Sequence, residues 1–170
     1  MVESESSSQD RVLAVTALAN EAQTALDADS LDAYPGYQLW LAANSLQRAF
    51  HRRLAPLELT FVQFFVLGAV SRLAKDQAVS QAQVCRFCGM DPNMISQVAR
   101  TLEGKGLLKR SVHPSDRRAH DLALTPAGEA LHVVARERLR PLDAAYFAPL
   151  TGRRAEFAAM LRDLIVADEG

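Results

Sequence analysis

The sequence predicts a mainly α-helical chain that carries one small β-hairpin. Apolar residues recur at helical spacing along most of the chain, whereas two short strand-like stretches, Leu107–His113 and Ala119–Leu124, stand next to each other. Two short helical segments that meet at Gly89 directly precede these strands. Since 49% of the 170 residues are hydrophobic, the chain is large enough to bury one core, and we expect a single domain over residues 10–170.

The N-terminal third predicts two helices behind a polar tail. Residues 1–9 are rich in Ser and Glu and are expected to be disordered. A helix over 10–28 should follow, because apolar side chains repeat at helical spacing through Arg11–Asp27. A second helix is expected over 36–55 and should end at Pro56. Its apolar stripe consists of Leu39, Ala43, Leu46, Phe50 and Leu54.

Capping signals predict where the next two helices begin. Thr60 with Gln63 three residues later marks the start of a nearly all-apolar helix, which we expect at the centre of the core. Ser80 with Gln83 repeats this pattern at the start of a short helix, and Gly89 should end it.

Three more helices complete the prediction. Asp91 followed by Pro92 is typical of a helix N-terminus, since Asp caps the first turn and Pro fits its first position. After the two strands, a long helix should begin at Thr125 and extend to about Arg140, and a last helix should span Thr151–Val166. These two helices make up the predicted C-terminal helical segment over residues 126–168.

The order of elements over residues 60–125 is typical of a winged helix-turn-helix. In its second short helix, Ile95, Val98 and Leu102 share one face and are expected in the core. The opposite face carries side chains that can read base edges in a DNA major groove, namely Asn93, Ser96, Gln97 and Arg100. Taken alone, this face is more typical of an amphipathic helix whose polar side faces solvent.

The predicted hairpin tip, His113–Ala119, favours the DNA-binding interpretation. It carries Arg117 and Arg118, and arginines on a projecting tip suit the negative potential of a minor groove. Asp116 could hold the Arg118 guanidinium in one orientation. The alternative is a solvated loop with a weak surface ion pair.

Charge and composition narrow the function classes. The net charge is −1, but the segment Arg86–Arg118 holds seven bases against three acids, whereas Met1–Gln47 holds seven acids against one base. No apolar stretch is long enough to span a membrane, and the N-terminus is acidic, so we expect a cytoplasmic protein without a membrane partner. We find no catalytic motif, no metal-ligand spacing and no cofactor loop, so an enzyme is not expected.

The segments "DPNMISQVARTLEGKGLLKR" and "HPSDRRAHDLALTPAGEAL" resemble the MarR family of transcriptional regulators. The resemblance covers roughly Tyr37–Leu164 and implies a homodimer joined through helices 36–55 and 126–168, bound to a pseudo-palindromic operator on double-stranded DNA. It implies that Arg118 enters a minor groove, and that Arg110 contacts a phosphate or supports the wing. The helix over 10–28 lies ahead of the usual family start; it resembles an extra helix of a urate-responsive branch, or it extends the dimer interface.

The resemblance also implies a small aromatic or anionic effector that releases DNA. Side chains on helices expected to border its cleft are Tyr37, Trp40, His51, Arg52 and Phe65. Each has an alternative role, in the core for the aromatic residues and in a solvated patch for the basic ones.

Cys85 and Cys88 lie in the first short helix. They are interpreted chiefly as core packing, with redox sensing or metal binding as alternatives. The sequence thus predicts a dimeric repressor; the alternatives are a thiol-based redox regulator and a winged-helix module that binds proteins instead of DNA.

Overall fold

The computed structural model describes residues 34–74, 79–113 and 116–167, except for the side chains of 116–118 and 167. The predicted tail over 1–9 and the predicted helix over 10–28 lie outside the described residues. The elements are, in chain order, α1 (Pro35–Leu54), α2 (Phe61–Leu73), β1 (Val79–Ser80), α3 (Gln81–Cys88), α4 (Pro92–Gly104), β2 (Leu108–His113), β3 (Asp116–Leu124), α5 (Pro126–Tyr146) and α6 (Arg154–Ala167). Short 3-10 turns follow α1 and α5. The mainly α-helical fold with a small β wing is confirmed.

The predicted capping boxes are present. At the start of α2, the Gln63 N–H donates to Thr60 Oγ1 at 3.2 Å, and the Thr60 N–H donates to Gln63 Oε1 at 3.1 Å. At the start of α3, Ser80 and Gln83 make the same reciprocal pair. Each box satisfies two N–H groups that a helix start leaves without partners, so the chain enters both helices at a defined residue.

Helix α2 lies at the centre of the core, as predicted. Val66, Leu67 and Val70 have no exposed surface, and Ala69 is nearly as buried. Every other helix and strand except α6 contributes buried side chains to the core around α2. The segment after α1 contributes as well. An all-apolar helix of this kind needs neighbours on several sides, and α3, α4, α5 and β3 supply them.

The sheet contains one strand more than the sequence predicted. Strand β1 is only two residues long and pairs with β3, so the strand order is β1-β3-β2 and all pairs are antiparallel. Val79 lies opposite Leu122, and both are buried. A two-residue strand shows no period of its own in the sequence, and only its pairing with β3 defines it.

The hairpin tip is shorter than predicted. We expected it to span His113–Ala119, but β3 already begins at Asp116, which lies opposite His113. Val112 pairs with His120 and His113 pairs with Asp116, so the register shifts here, and Arg117, Arg118 and Ala119 lie in a bulge between the two pairs. The two connecting residues, 114 and 115, lie outside the described residues.

Helix α5 does not end near Arg140 as predicted but runs to Tyr146, with Pro141 inside it. Proline removes one helical hydrogen bond and crowds the preceding turn, which normally stops a helix. Here Leu139 is 4% exposed and Leu142 packs against the core, so burial on both sides of the proline maintains the helix. Helix α6 begins at Arg154, three residues later than predicted.

The chain forms two compact units, Met1–Ser45 and Leu46–Gly170. Within the described ranges, no single helix is long and apolar enough to cross a membrane. The segments Pro35–Leu57 and Phe61–Leu73, which meet at a sharp bend, are together long and apolar enough, by length and composition alone. The same ranges contain no group of three or more His, Cys, Asp or Glu side chains that could hold a metal ion.

Candidate nucleic-acid interface

Helix α4 separates a buried apolar face from an exposed polar one. Ile95 and Leu102 have no exposed surface, and Val98 packs against the core. Ala99, which the sequence analysis did not include, is also fully buried. On the outer face Asn93, Gln97 and Arg100 are exposed, and Ser96 is half-buried. The predicted base-reading side chains therefore lie together on the free side of a helix whose other side is fixed.

The first turn of α4 is held by its cap. One Asp91 carboxylate oxygen, Oδ1, accepts from the backbone N–H of Asn93 at 2.8 Å and from that of Met94 at 3.3 Å. Pro92 occupies the first helical position, where its missing N–H costs nothing. Met94 is 46% exposed on this turn, and the sequence analysis overlooked it. An exposed apolar side chain beside Asn93 could contact a thymine methyl group.

An ion pair joins the end of α4 to the start of the wing. Arg110 Nη1 on β2 lies 3.6 Å from Glu103 Oε2 on α4, and the Arg110 backbone N–H donates to Glu103 Oε1 at 3.3 Å. The Arg110 side chain is only 13% exposed, and its Nε is buried without a hydrogen-bond partner among the described residues. This position suits a residue that fixes the wing against the helix.

A second junction holds the wing to α5. The Thr125 N–H donates to the Leu107 carbonyl at 3.2 Å, the Thr125 hydroxyl donates to the Gly106 carbonyl at 2.7 Å, and its oxygen caps the Gly128 N–H at 3.0 Å. A β-carbon on Gly128 would lie 1.9 Å from the Leu107 carbonyl oxygen, so only glycine fits there. The "LTPAG" stretch therefore sets where β3 ends and α5 begins.

The predicted wing arginines lie at the far end of β3. Asp116, Arg117 and Arg118 are its first three residues, and Arg118 is six residues, or about 20 Å, from Leu124 at the α5 end. Their side chains lie outside the described part, so the expected contact between Asp116 and Arg118 stays a prediction. Both arginines therefore lie at the hairpin end of β3.

Comparison with known proteins agrees with this geometry. A sequence profile of the MarR family matches residues 57–119. The HTH-type transcriptional regulator YdcH of Bacillus subtilis is 35% identical over 132 residues, which cover 77% of this chain and 89% of that regulator. This chain belongs to the MarR family. It is accordingly a winged helix-turn-helix, DNA-binding transcription regulator.

Solved MarR structures share the fold. The transcriptional repressor CouR, solved on a 23-mer DNA duplex, is 28% identical with a TM-score of 0.69, and the match covers 82% of this chain and 96% of CouR. CouR from Rhodococcus jostii has also been solved with p-coumaroyl-CoA. BpsR of Bordetella bronchiseptica, whose DNA binding is regulated by 6-hydroxynicotinic acid, is 27% identical with a TM-score of 0.69, over 76% of this chain and 96% of BpsR.

An open cavity of about 590 Å³ lies between the last turns of α1 and the start of α2. Its basic wall is formed by Arg48, His51 and Arg52, and its apolar wall includes Phe61 and Met90. None of the residues that the structure places on this cavity is acidic. The structure thus brings two of the predicted effector residues, His51 and Arg52, to one site; the sequence analysis missed the others because they come together only in the fold.

The remaining predicted effector residues lie elsewhere. Phe65 does not line this cavity but packs in a cluster of four rings with Phe50, Phe61 and Phe64, with ring centres 4.7–6.3 Å apart. In the first unit, the Tyr37 and Trp40 rings stack on each other at 6.0 Å, and Trp40 is 60% exposed. Their link to an effector stays a prediction.

Cys85 and Cys88 are free thiols, each half-buried against the core. Burial raises the pKa of both, and in Cys88 the neighbouring Cys85 raises it further. Because the thiolate is the reactive form, a raised pKa disfavours reaction with oxidants at neutral pH. This chemistry fits packing better than redox sensing.

Proposed function

We propose that this chain acts in the cytoplasm as a homodimer that binds a pseudo-palindromic operator, represses transcription, and is released by a small anionic aromatic molecule. The observation that carries DNA reading is the two-sided helix α4, whose exposed polar face is opposite a fully buried one. Asn93, Ser96, Gln97 and Arg100 contact base edges. Arg117 and Arg118 reach the adjacent minor groove, where Asp116 orients Arg118.

Arg110 has a positioning role in this proposal. Its guanidinium is largely buried beside Glu103, so it holds the wing at a fixed distance from the recognition helix instead of contacting a phosphate. The separation between α4 and the wing must match that between neighbouring grooves of the duplex.

Dimerisation is supported by apolar surface that the single chain leaves uncovered. On α6, Leu164, Ile165 and Val166 are each more than 60% exposed. Contiguous apolar surface of this kind usually marks an interface. A second copy of α6 would cover it and would place two winged lobes on one duplex, as a palindromic operator requires.

The effector proposal rests on the cavity beside α1. Two arginines and a histidine favour an anion, and Phe61 with Met90 favours an apolar or aromatic body. CouR and BpsR, which share this fold, are described with p-coumaroyl-CoA and 6-hydroxynicotinic acid, both aromatic compounds with anionic groups. This similarity supports the ligand class.

Two substitutions test the DNA contacts. Arg118→Ala should weaken operator binding while leaving the dimer and the melting temperature unchanged. Arg100→Ala should relax the base preference at one position per half-site, at a cost of roughly 1–3 kcal/mol. Fluorescence anisotropy with operator variants would measure both, and wild-type affinity in either variant would remove that residue from the interface.

Matched ligand pairs test the effector site. An aromatic carboxylate should raise the melting temperature and release DNA, whereas the corresponding aromatic amide should do neither. Arg52→Ala should abolish both responses without altering operator affinity, since Arg52 lines the cavity beside α1 and is not placed on the DNA-reading face. Equal responses to acid and amide would contradict an anionic effector.

A further inference from the structure

A second cavity, of about 380 Å³, lies between the recognition helix and the base of the wing. Three elements line it. Gln81, Cys85 and Arg86 come from α3, Pro92 is the first residue of α4, and Ala119 with His120 follows the wing arginines on β3. It is separate from the cavity beside α1, and none of the roles assigned above uses it.

This cavity lies between the two elements that are proposed to enter DNA grooves, helix α4 and the wing. A duplex that takes α4 in a major groove and the wing in the adjacent minor groove must pass one sugar–phosphate strand between the two. The cavity lies in that gap, since Pro92 at the start of α4 and Ala119 on the wing strand both line it. A strand crossing here would face whatever groups line the cavity.

The lining groups have the chemistry of a phosphate site. Arg86 is exposed and supplies a guanidinium, the Gln81 amide and the His120 ring can supply N–H donors, and no residue placed on this cavity is acidic. A phosphate oxygen can accept from the Gln81 side-chain NH2, whereas Gln81 Oε1, which is buried without a hydrogen-bond partner in the described part of the chain, is itself an acceptor and does not contribute to phosphate binding. Burial keeps the Cys85 thiol protonated by raising its pKa, so it adds no negative charge.

We propose that this cavity is a backbone-phosphate slot in which Arg86, helped by Gln81, holds the phosphodiester strand between the two grooves that the protein reads. The inference rests on the proposed DNA-binding function and adds a contact that sets register without reading sequence. Such a contact should contribute equally on any duplex.

The test compares the full-length wild-type chain with Arg86→Ala on an operator duplex and on a mixed-sequence duplex across a salt series. Arg86→Ala should weaken both complexes by the same factor. The slope of log K against log salt should become less negative by about 0.9 in Arg86→Ala. The ratio of wild-type to variant affinity should therefore fall about 3.5-fold between roughly 50 and 200 mM salt. Arg86→Lys should retain most of the slope, and Arg138→Ala, which removes an exposed arginine on α5, should match the wild type.

Single methylphosphonate substitutions in the operator locate the contact. One neutralised phosphate per half-site should weaken binding by the wild type but not by Arg86→Ala. Wild-type affinity and slope for Arg86→Ala would overturn the inference, and so would a loss confined to the operator, which would make Arg86 a base reader. If the wild type bound no duplex at all, the proposed function itself would fail.

Discussion

Helices α4 and α6 have nearly the same length, 13 and 14 residues, but bury their apolar side chains very differently. In α4, Ile95, Ala99 and Leu102 are completely buried. No described residue of α6 is buried, and Met160, Leu164, Ile165 and Val166 are between 55% and 67% exposed. The first helix is thus stabilised inside one chain, whereas the second leaves its apolar side chains uncovered, as the proposed dimer interface requires.

This difference matches the two tasks in the proposed function, which are reading DNA and pairing with a second copy. The lobe that reads DNA must present its side chains in a fixed arrangement, so its core is complete within one chain. The C-terminal helix, for which we propose contact with a second copy, leaves its apolar side chains outside that core.

The largest effect should come from the same type of substitution, leucine to alanine, made separately in each helix. Leu102→Ala should lower the free energy of unfolding by about 2–5 kcal/mol, because it leaves a cavity in the core. Leu164→Ala should instead raise the monomer–dimer dissociation constant. Urea denaturation and sedimentation equilibrium measure the two quantities. The comparison fails if Leu164→Ala leaves the dimer unchanged.

The Glu103–Arg110 ion pair should matter more than an exposed one. Glu103→Gln should lower the free energy of unfolding by about 1–2 kcal/mol, since it leaves a largely buried guanidinium poorly paired. Glu137→Gln is the matched control, because Glu137 pairs at 3.1 Å with Arg140, whose side chain is 78% exposed, and it should cost less than about 1 kcal/mol. Equal losses in denaturation would show that the pair does not fix the wing.

A smaller, pH-dependent effect is expected where α2 meets α5. His132 packs against Gly68, whose β-carbon would lie 3.1 Å from Nε2, and against the Phe64 ring. Burial lowers the pKa of His132, and Arg136 lowers it further. A histidine whose folded-state pKa is depressed contributes stability while neutral, and loses it as the pH falls below its ordinary value through the lowered one.

His132→Gln should therefore lose less stability than the wild type between about pH 7 and pH 5. Thermal denaturation across this range provides the measurement. Since other groups titrate in both proteins, the difference between the two curves isolates His132, and parallel curves would rule out its contribution.

The smallest effect concerns the thiols. Replacing both Cys85 and Cys88 by Ser should leave the response of DNA affinity to peroxide unchanged, because burial raises the pKa of each and keeps them protonated. Anisotropy titrations before and after peroxide treatment would show this. A peroxide response that the wild type has and the double variant lacks would establish redox sensing.

Local signals in the sequence predicted much of the fold. The capping boxes at Thr60 and Ser80, and the Asp91 cap, act over three residues, so they can be identified without tertiary contacts. The buried face of α4 followed from helical periodicity. Strand β1 and the continuation of α5 through Pro141 could not be predicted, since both depend on packing between distant segments.

The candidate sites divide in the same way. The base-reading face belongs to one helix, so its residues could be named from spacing alone. Each cavity is lined by residues from several elements. Arg48 and Met90 both line the cavity beside α1, and Arg86 and His120 both line the cavity at the base of the wing. The exclusion of a side chain at Gly128 depends on the Leu107 carbonyl, 21 residues earlier, and no local pattern reports it.

The central claim, a dimer that reads DNA through α4 and the wing, is tested most directly by selecting genomic DNA fragments with the purified protein at near-physiological salt and sequencing them. We predict enrichment of a pseudo-palindrome whose half-sites lie about one helical turn apart. If a folded dimer enriched no sequence in the absence of effector, the account would be contradicted, and a winged helix that binds a protein partner would replace it.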